Sequence, residues 1–67
     1  MKNIRKQVKK EMENYASRYE YDGSIKGLCW FGETVDELID KVTAAYIQLK
    51  AEHPTVSVNA AVQHYFN

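Results

Sequence analysis

"TVDELIDKVTAAYIQLK", the stretch from Thr34 to Lys50, carries the strongest helical pattern in the chain and decides the fold. Its apolar side chains recur every three or four residues and occupy an arc of about 120 degrees on a helical wheel, the width expected of a core-facing stripe. They are Val35, Leu38, Ile39, Val42, Ala45, Tyr46 and Leu49. The pattern predicts a helix over residues 35–52 that buries one face.

Both ends of this helix carry sequence signals. Thr34 is followed three residues later by Glu37, the spacing of a capping box, in which the two side chains bond the free backbone N–H groups at a helix start. Pro54 ends the helix, because the residue before a proline is disfavoured in helical geometry.

Two further helices are predicted on either side. The large apolar side chains of the first 20 residues fall within an arc of about 80 degrees, which predicts a helix over about residues 3–20. They are Ile4, Val8, Met12, Tyr15 and Tyr19. Ser57, or alternatively Thr55, can cap a third helix over residues 58–66. Its apolar face comprises Val58, Ala61, Val62, Tyr65 and Phe66.

The segment between the first two helices allows two interpretations. We expect an all-α, compact three-helix domain with an extended loop over residues 22–33. The alternative is an α+β fold with a two-stranded hairpin around Asp22-Gly23, which is a strong hairpin turn. Before that turn, Tyr15, Ser17, Tyr19 and Tyr21 alternate with Ala16, Arg18 and Glu20. In that case residues 15–31 would form two strands, and circular dichroism would show a minority of helix.

A chain of 67 residues is expected to form one domain over residues 1–67, with only about 60% of the unfolded chain's surface buried. Its single cysteine excludes an internal disulfide. No apolar run, including residues 28–31, exceeds four residues, which is far shorter than the roughly 20 residues of a membrane span. No apolar stretch follows the basic start, so no export signal is expected. These features favour a cytoplasmic protein with a reduced thiol.

The residues that could carry out chemistry are isolated from one another in the sequence. Cys29 has no base or orienting group in a recognisable motif, and a cysteine flanked by Leu28 and Trp30 is expected to pack as a small apolar residue. His53 and His64 are eleven residues apart, with no further ligand at metal-binding spacing. We therefore expect no enzyme activity, no cofactor and no metal.

Charge is segregated along a chain whose formal net charge is zero. Five of the first ten residues are basic, whereas residues 11–40 contain eight acids and two bases. Cations near a helix N-terminus oppose the helix dipole, so local stability does not explain them. Asp36 and Asp40 are four residues apart on one helix face, where like charges repel. Their partner is expected to be a lysine of the first helix, or a basic surface on another protein.

The leading hypothesis for function is a non-enzymatic module that binds another protein, as accessory or inhibitor proteins of mobile elements do. Ile47 joins the candidate residues because it lies outside the apolar arc, beside Ala44 and Ala51. That strip would be covered by the third helix or by a second copy of the chain, which would make a homodimer. The candidate protein-binding residues are Lys2, Arg5, Lys6, Lys9, Lys10, Asp36, Asp40 and Ile47.

The alternative hypothesis is a small DNA-binding regulator that resembles a helix-turn-helix protein. The basic first helix would contact phosphates, and Asn59 and Gln63 on the third helix would read bases. The third helix has no Lys or Arg, and the chain is not basic overall. The candidate nucleic-acid-binding residues are Lys6, Lys9, Lys10, Lys50, Asn59 and Gln63.

The only tryptophan of the chain generates a prediction. Trp30 lies in "GLCWFG", between Gly27 and Gly32. Bends at these two glycines can direct the Trp30 side chain inward, into a core that contains few large side chains. We therefore expect Trp30→Ala to lower the free energy of unfolding by about 3–5 kcal/mol in denaturant titrations. An unchanged melting temperature together with loss of a binding partner would make Trp30 a binding residue instead.

Overall fold

The computed structural model describes residues 3–19, 23–29 and 32–66. It contains three α-helices, α1 (Ile4–Tyr19), α2 (Val35–Glu52) and α3 (Val58–Phe66), and a 3₁₀ turn over Ile25–Leu28. The prediction of an all-α three-helix domain is confirmed, with every helix end within one residue of its predicted position. None of the described helices has the length and apolar character needed to cross a membrane.

The hairpin alternative is wrong for the part of the chain that the structure describes. Residues 15–19 complete α1, and Ile25–Leu28 form the 3₁₀ turn, where the sequence also led us to expect extended chain. Gly23, the first described residue after α1, has a φ of 68°, which glycine adopts without the steric cost of a side chain. Side-chain burial explains the outcome, because a helix places Val8, Met12 and Ala16 on one buried face.

Side-chain caps fix the starts of α2 and α3. Thr34 Oγ1 accepts a hydrogen bond of 3.1 Å from the backbone N–H of Glu37, and Glu37 Oε1 accepts one of 2.9 Å from the backbone N–H of Thr34. The predicted capping box is therefore present. Ser57, rather than Thr55, caps α3, since its Oγ accepts a 3.1 Å bond from the backbone N–H of Ala60.

The core lies between the three helices and is closed by the 3₁₀ turn. Each α-helix contacts the other two, and the turn contacts α1. The central cluster consists of Val8, Met12, Ile25, Leu38, Ile39, Val42 and Val62. α2 supplies three of these residues, more than any other element. No buried side-chain N or O atom of the described residues lacks a hydrogen-bond partner.

Two residues predicted on apolar faces, Tyr19 and Tyr65, lie at the surface, and Tyr65 is 38% exposed. Tyr19 is 62% exposed, although its helical position matches that of the buried residues. It is the last residue of α1, and its ring contacts Tyr15 at a centroid distance of 4.6 Å. Ala16, which is fully buried, was not among the apolar residues that predicted the face. Trp30 lies outside the described residues, so its proposed place in the core remains a prediction.

Two isoleucines of α2 test this description. Ile39 is 1% exposed and Ile47 is 54% exposed, so the same substitution can be compared on one helix. We expect Ile39→Ala to lower the free energy of unfolding by about 2–5 kcal/mol, which approaches the whole stability of a domain of this size. Ile47→Ala should change it by no more than about 0.5 kcal/mol. Urea titrations followed by circular dichroism measure both values, and equal losses would contradict the packing.

Candidate functional site

Arg5 joins α1 to the start of α2. Its Nε donates a 2.8 Å hydrogen bond to Asp40 Oδ1, and its Nη2 lies 3.3 Å from Asp36 Oδ1 and 3.4 Å from the backbone oxygen of Asp36. These hydrogen bonds raise the pKa of Arg5 above its ordinary value, and the bond to Asp40 has the largest effect. The two aspartates therefore have a partner on the first helix, as expected, but it is an arginine instead of a lysine. The side chains remain 46–84% exposed, so solvent weakens the attraction.

The pairing divides the predicted protein-binding residues into two groups. Arg5, Asp36 and Asp40 contact one another, so a partner would compete with contacts that the chain already makes. The other cations of α1 do not share this arrangement. Lys2 lies outside the described residues.

Three lysines of α1 form a separate surface, which we call the lysine face: Lys6, Lys9 and Lys10. All three are exposed, and none makes an ion pair or hydrogen bond with the rest of the described chain. Glu13 lies one turn further along the helix, is also exposed and is likewise unpaired in the described residues. On a helical wheel these residues lie outside the core-facing arc that contains Val8: Lys9 is beyond its edge, and the other three are roughly opposite it. The lysine face therefore carries three cations that the fold does not use.

The polar side of α3 is bound to α1. Gln63 Nε2 donates a 2.8 Å hydrogen bond to Asn59 Oδ1, and Asn59 Nδ2 donates a 2.9 Å bond to Glu11 Oε1. The amides that were predicted to read bases are thus engaged with each other and with a carboxylate. Lys50, the predicted phosphate contact on α2, donates to the backbone oxygen of Pro54 at 3.3 Å.

A second ion pair lies where the chain enters α2. Lys41 Nζ donates a 2.6 Å hydrogen bond to Glu33 Oε2. The Glu33 side chain is only 6% exposed, whereas that of Lys41 is 60% exposed, so the lysine brings its charge to a carboxylate that water barely reaches. The hydrogen bond raises the pKa of Lys41. Sequence spacing did not indicate this pair, because Glu33 lies outside the helix.

Cys29 has the environment of a packed thiol. Its Sγ lies 3.7 Å from the backbone oxygen of Ile25, to which it donates. Burial, and to a lesser extent the nearby charge of Glu33, raise the pKa of Cys29, which disfavours the nucleophilic thiolate.

The two histidines lie apart from each other. The backbone N–H of His53 donates to the backbone oxygen of Leu49 at the end of α2, and His64 lies in a groove between α2 and α3. The described residues contain no group of three side chains that could hold a metal ion.

The apolar strip around Ile47 is not covered by α3. Ile47 is 54% exposed, and Ala44 and Ala51 on either side of it are exposed as well. The prediction that the third helix covers this strip is therefore wrong. Its alternative, that a second copy of the chain covers the strip, remains a prediction.

Comparison with known proteins gives no relative from which a function could be transferred. No protein-family model, curated protein sequence or solved structure matches this chain. The described residues form a small three-helix domain.

The pair between Lys41 and Glu33 generates a prediction. A lysine whose pKa is raised on folding contributes stability in full below its unfolded value of about 10.4, and that contribution is lost as the pH rises through the folded value. We therefore expect Lys41→Met to lower the melting temperature at neutral pH. The difference from the wild-type chain should stay constant up to about pH 10 and shrink above it.

Lys50→Met is the matched control, because Lys50 lies on the same helix but donates to a backbone carbonyl. It should lower the melting temperature less. Equal effects of the two substitutions, or a difference for Lys41→Met that grows above pH 10, would show that the charge of Lys41 is not what stabilises this site.

Proposed function

We propose that this chain is a non-enzymatic module that binds another protein through the lysine face of α1. The observation that carries the proposal is the contrast between Arg5 and the three lysines. Arg5 is held by Asp36 and Asp40, whereas the lysine face has no partner in the described residues. An accessory or inhibitor role suits such a module, because binding alone is sufficient for it.

Stability does not account for the lysine face. The first turn of α1 has no acidic residue and contains Lys6, and a cation in the first turn of a helix is disfavoured by the helix dipole. Three exposed lysines within two turns also repel one another. A surface that is electrostatically unfavourable in the free chain becomes favourable when an acidic surface lies against it. Solubility is the competing explanation, since unpaired lysines also keep a small protein in solution.

A protein partner is better supported than nucleic acid. Asn59 and Gln63 are bonded to each other and to Glu11, so base contacts would require these bonds to break. α3 contains no lysine or arginine, and the chain has a net charge of zero, whereas DNA-binding domains are usually basic.

The proposed compartment is the cytoplasm. The single cysteine of the chain fits a reducing compartment of this kind, where we also place the binding partner.

Charge reversal on the lysine face tests the proposal. The tagged chain is used to capture partners from the source cells, and each captured protein is then purified and titrated. We expect Lys6→Glu/Lys10→Glu to weaken binding about tenfold or more, because two attractions become repulsions. The control Lys26→Glu/Lys50→Glu makes the same change in net charge at two other exposed lysines and should bind like the wild-type chain.

A partner that binds both double variants equally would contradict the proposal, as would the capture of no specific protein. Duplex DNA is tested in parallel. Retardation at low salt that disappears steeply by about 200 mM, with a weaker salt dependence for Lys6→Ala and Lys9→Ala, would favour the DNA-binding alternative.

A further inference from the structure

We infer that the surface recognised by α1 is bipolar: acidic opposite the lysine face, and basic or hydrogen-bond-donating opposite Glu13. This inference rests on the proposed function and names the chemistry of the partner. It distinguishes a folded protein surface from a uniform polyanion, whether a nucleic acid or an acidic tail.

Glu13 belongs to the same surface as the lysines. It follows Lys10 by three residues and Lys9 by four, the spacings at which helical side chains are neighbours. With a rise of 1.5 Å per residue, the row from Lys6 to Glu13 is about 10 Å long. Three positive charges are therefore followed by one negative charge along a single exposed helix face.

The geometry leaves Glu13 available to a partner. No ion pair joins it to Lys9 or Lys10 in the described chain, in spite of their spacing. The order of the charges is consistent with this, because a glutamate placed before a lysine gives the better pair and here the lysines come first. Glu11, by contrast, accepts a hydrogen bond from Asn59 and is directed towards α3.

A uniform polyanion matches this row poorly. Duplex DNA carries one negative charge per about 1.7 Å of its axis, so a duplex aligned with the lysines would also place phosphates against Glu13. A protein surface can instead end its acidic patch and present a lysine or arginine at that point. Electrostatic complementarity of this kind sets specificity and orientation more than affinity.

Two synthetic helical peptides serve as probes. Both present three glutamates at spacing i, i+3 and i+4, and position i+7 is lysine in the bipolar peptide and glutamate in the acidic peptide. Fluorescence anisotropy at about 150 mM salt measures binding to the wild-type chain. We expect the bipolar peptide to bind about two- to fivefold more tightly, the range of one exposed ion pair.

Glu13→Lys should reverse this preference, and Glu52→Lys, at an exposed position near the end of α2, should leave it unchanged. Circular dichroism confirms that each variant is folded. Equal binding of the two peptides, or tighter binding of the acidic peptide or of duplex DNA by the wild-type chain, would overturn the inference. The proposed function fails separately if reversal of Lys6 and Lys10 has no effect on binding of the captured partner.

Discussion

Burial of one face of α2 is the interaction on which the rest of the structure depends. Leu38, Ile39 and Val42 are each about 1% exposed, and α1 and α3 both pack against this helix. α3 has only nine residues, and a helix shorter than roughly 12–15 residues is marginal by itself in water. Removing the apolar face of α2 would therefore take away one of the two helices against which α1 and α3 each pack. Ile25 joins the same core cluster, and its 3₁₀ turn packs against α1.

This dependence determines how α1 presents its outer face. Val8 and Met12 anchor the inner side in the core, Glu11 bonds to α3, and Arg5 bonds to α2. α1 is thus fixed on both flanks, and its rotation about its own axis is set by contacts that do not involve the lysines. The backbone beneath the lysines is therefore ordered before a partner binds, which removes that part of the entropic cost of binding. The charge order along that face can then act as an orienting feature.

Periodicity and caps predicted the elements of this fold, and side-chain partners across elements were harder to predict. The bounds of α2 and α3 followed from the apolar stripe, the capping box at Thr34, the cap at Ser57 and the break at Pro54, all of which are local signals. The 3₁₀ turn had no such signal, because burial of Ile25 against other helices determines it. Tyr19 shared a helical arc with buried residues but lies beyond the packed part of α1.

In the candidate site, too, local sequence signals were predictable and contacts between elements were not. The segregated charge of the sequence identified α1 as the surface of interest, and it suggested that the aspartates of α2 are paired with α1. It did not indicate that Arg5 would be the partner, or that Lys41 would pair with Glu33, since both pairs depend on how elements are placed in space. Glu13 was not among the candidate residues, because the role that we propose for it depends on the lack of a partner within the described chain.

Mapping the interface on the protein itself tests the central claim most directly. Backbone amide signals of the isotope-labelled chain can be followed by NMR while the captured partner is added. We expect the largest changes at Lys6, Lys9, Lys10 and Glu13, with the groove between α2 and α3 unchanged. Changes centred on Ile47 or Tyr65, with the outer face of α1 unaffected, would contradict the assignment of the lysine face as the binding surface.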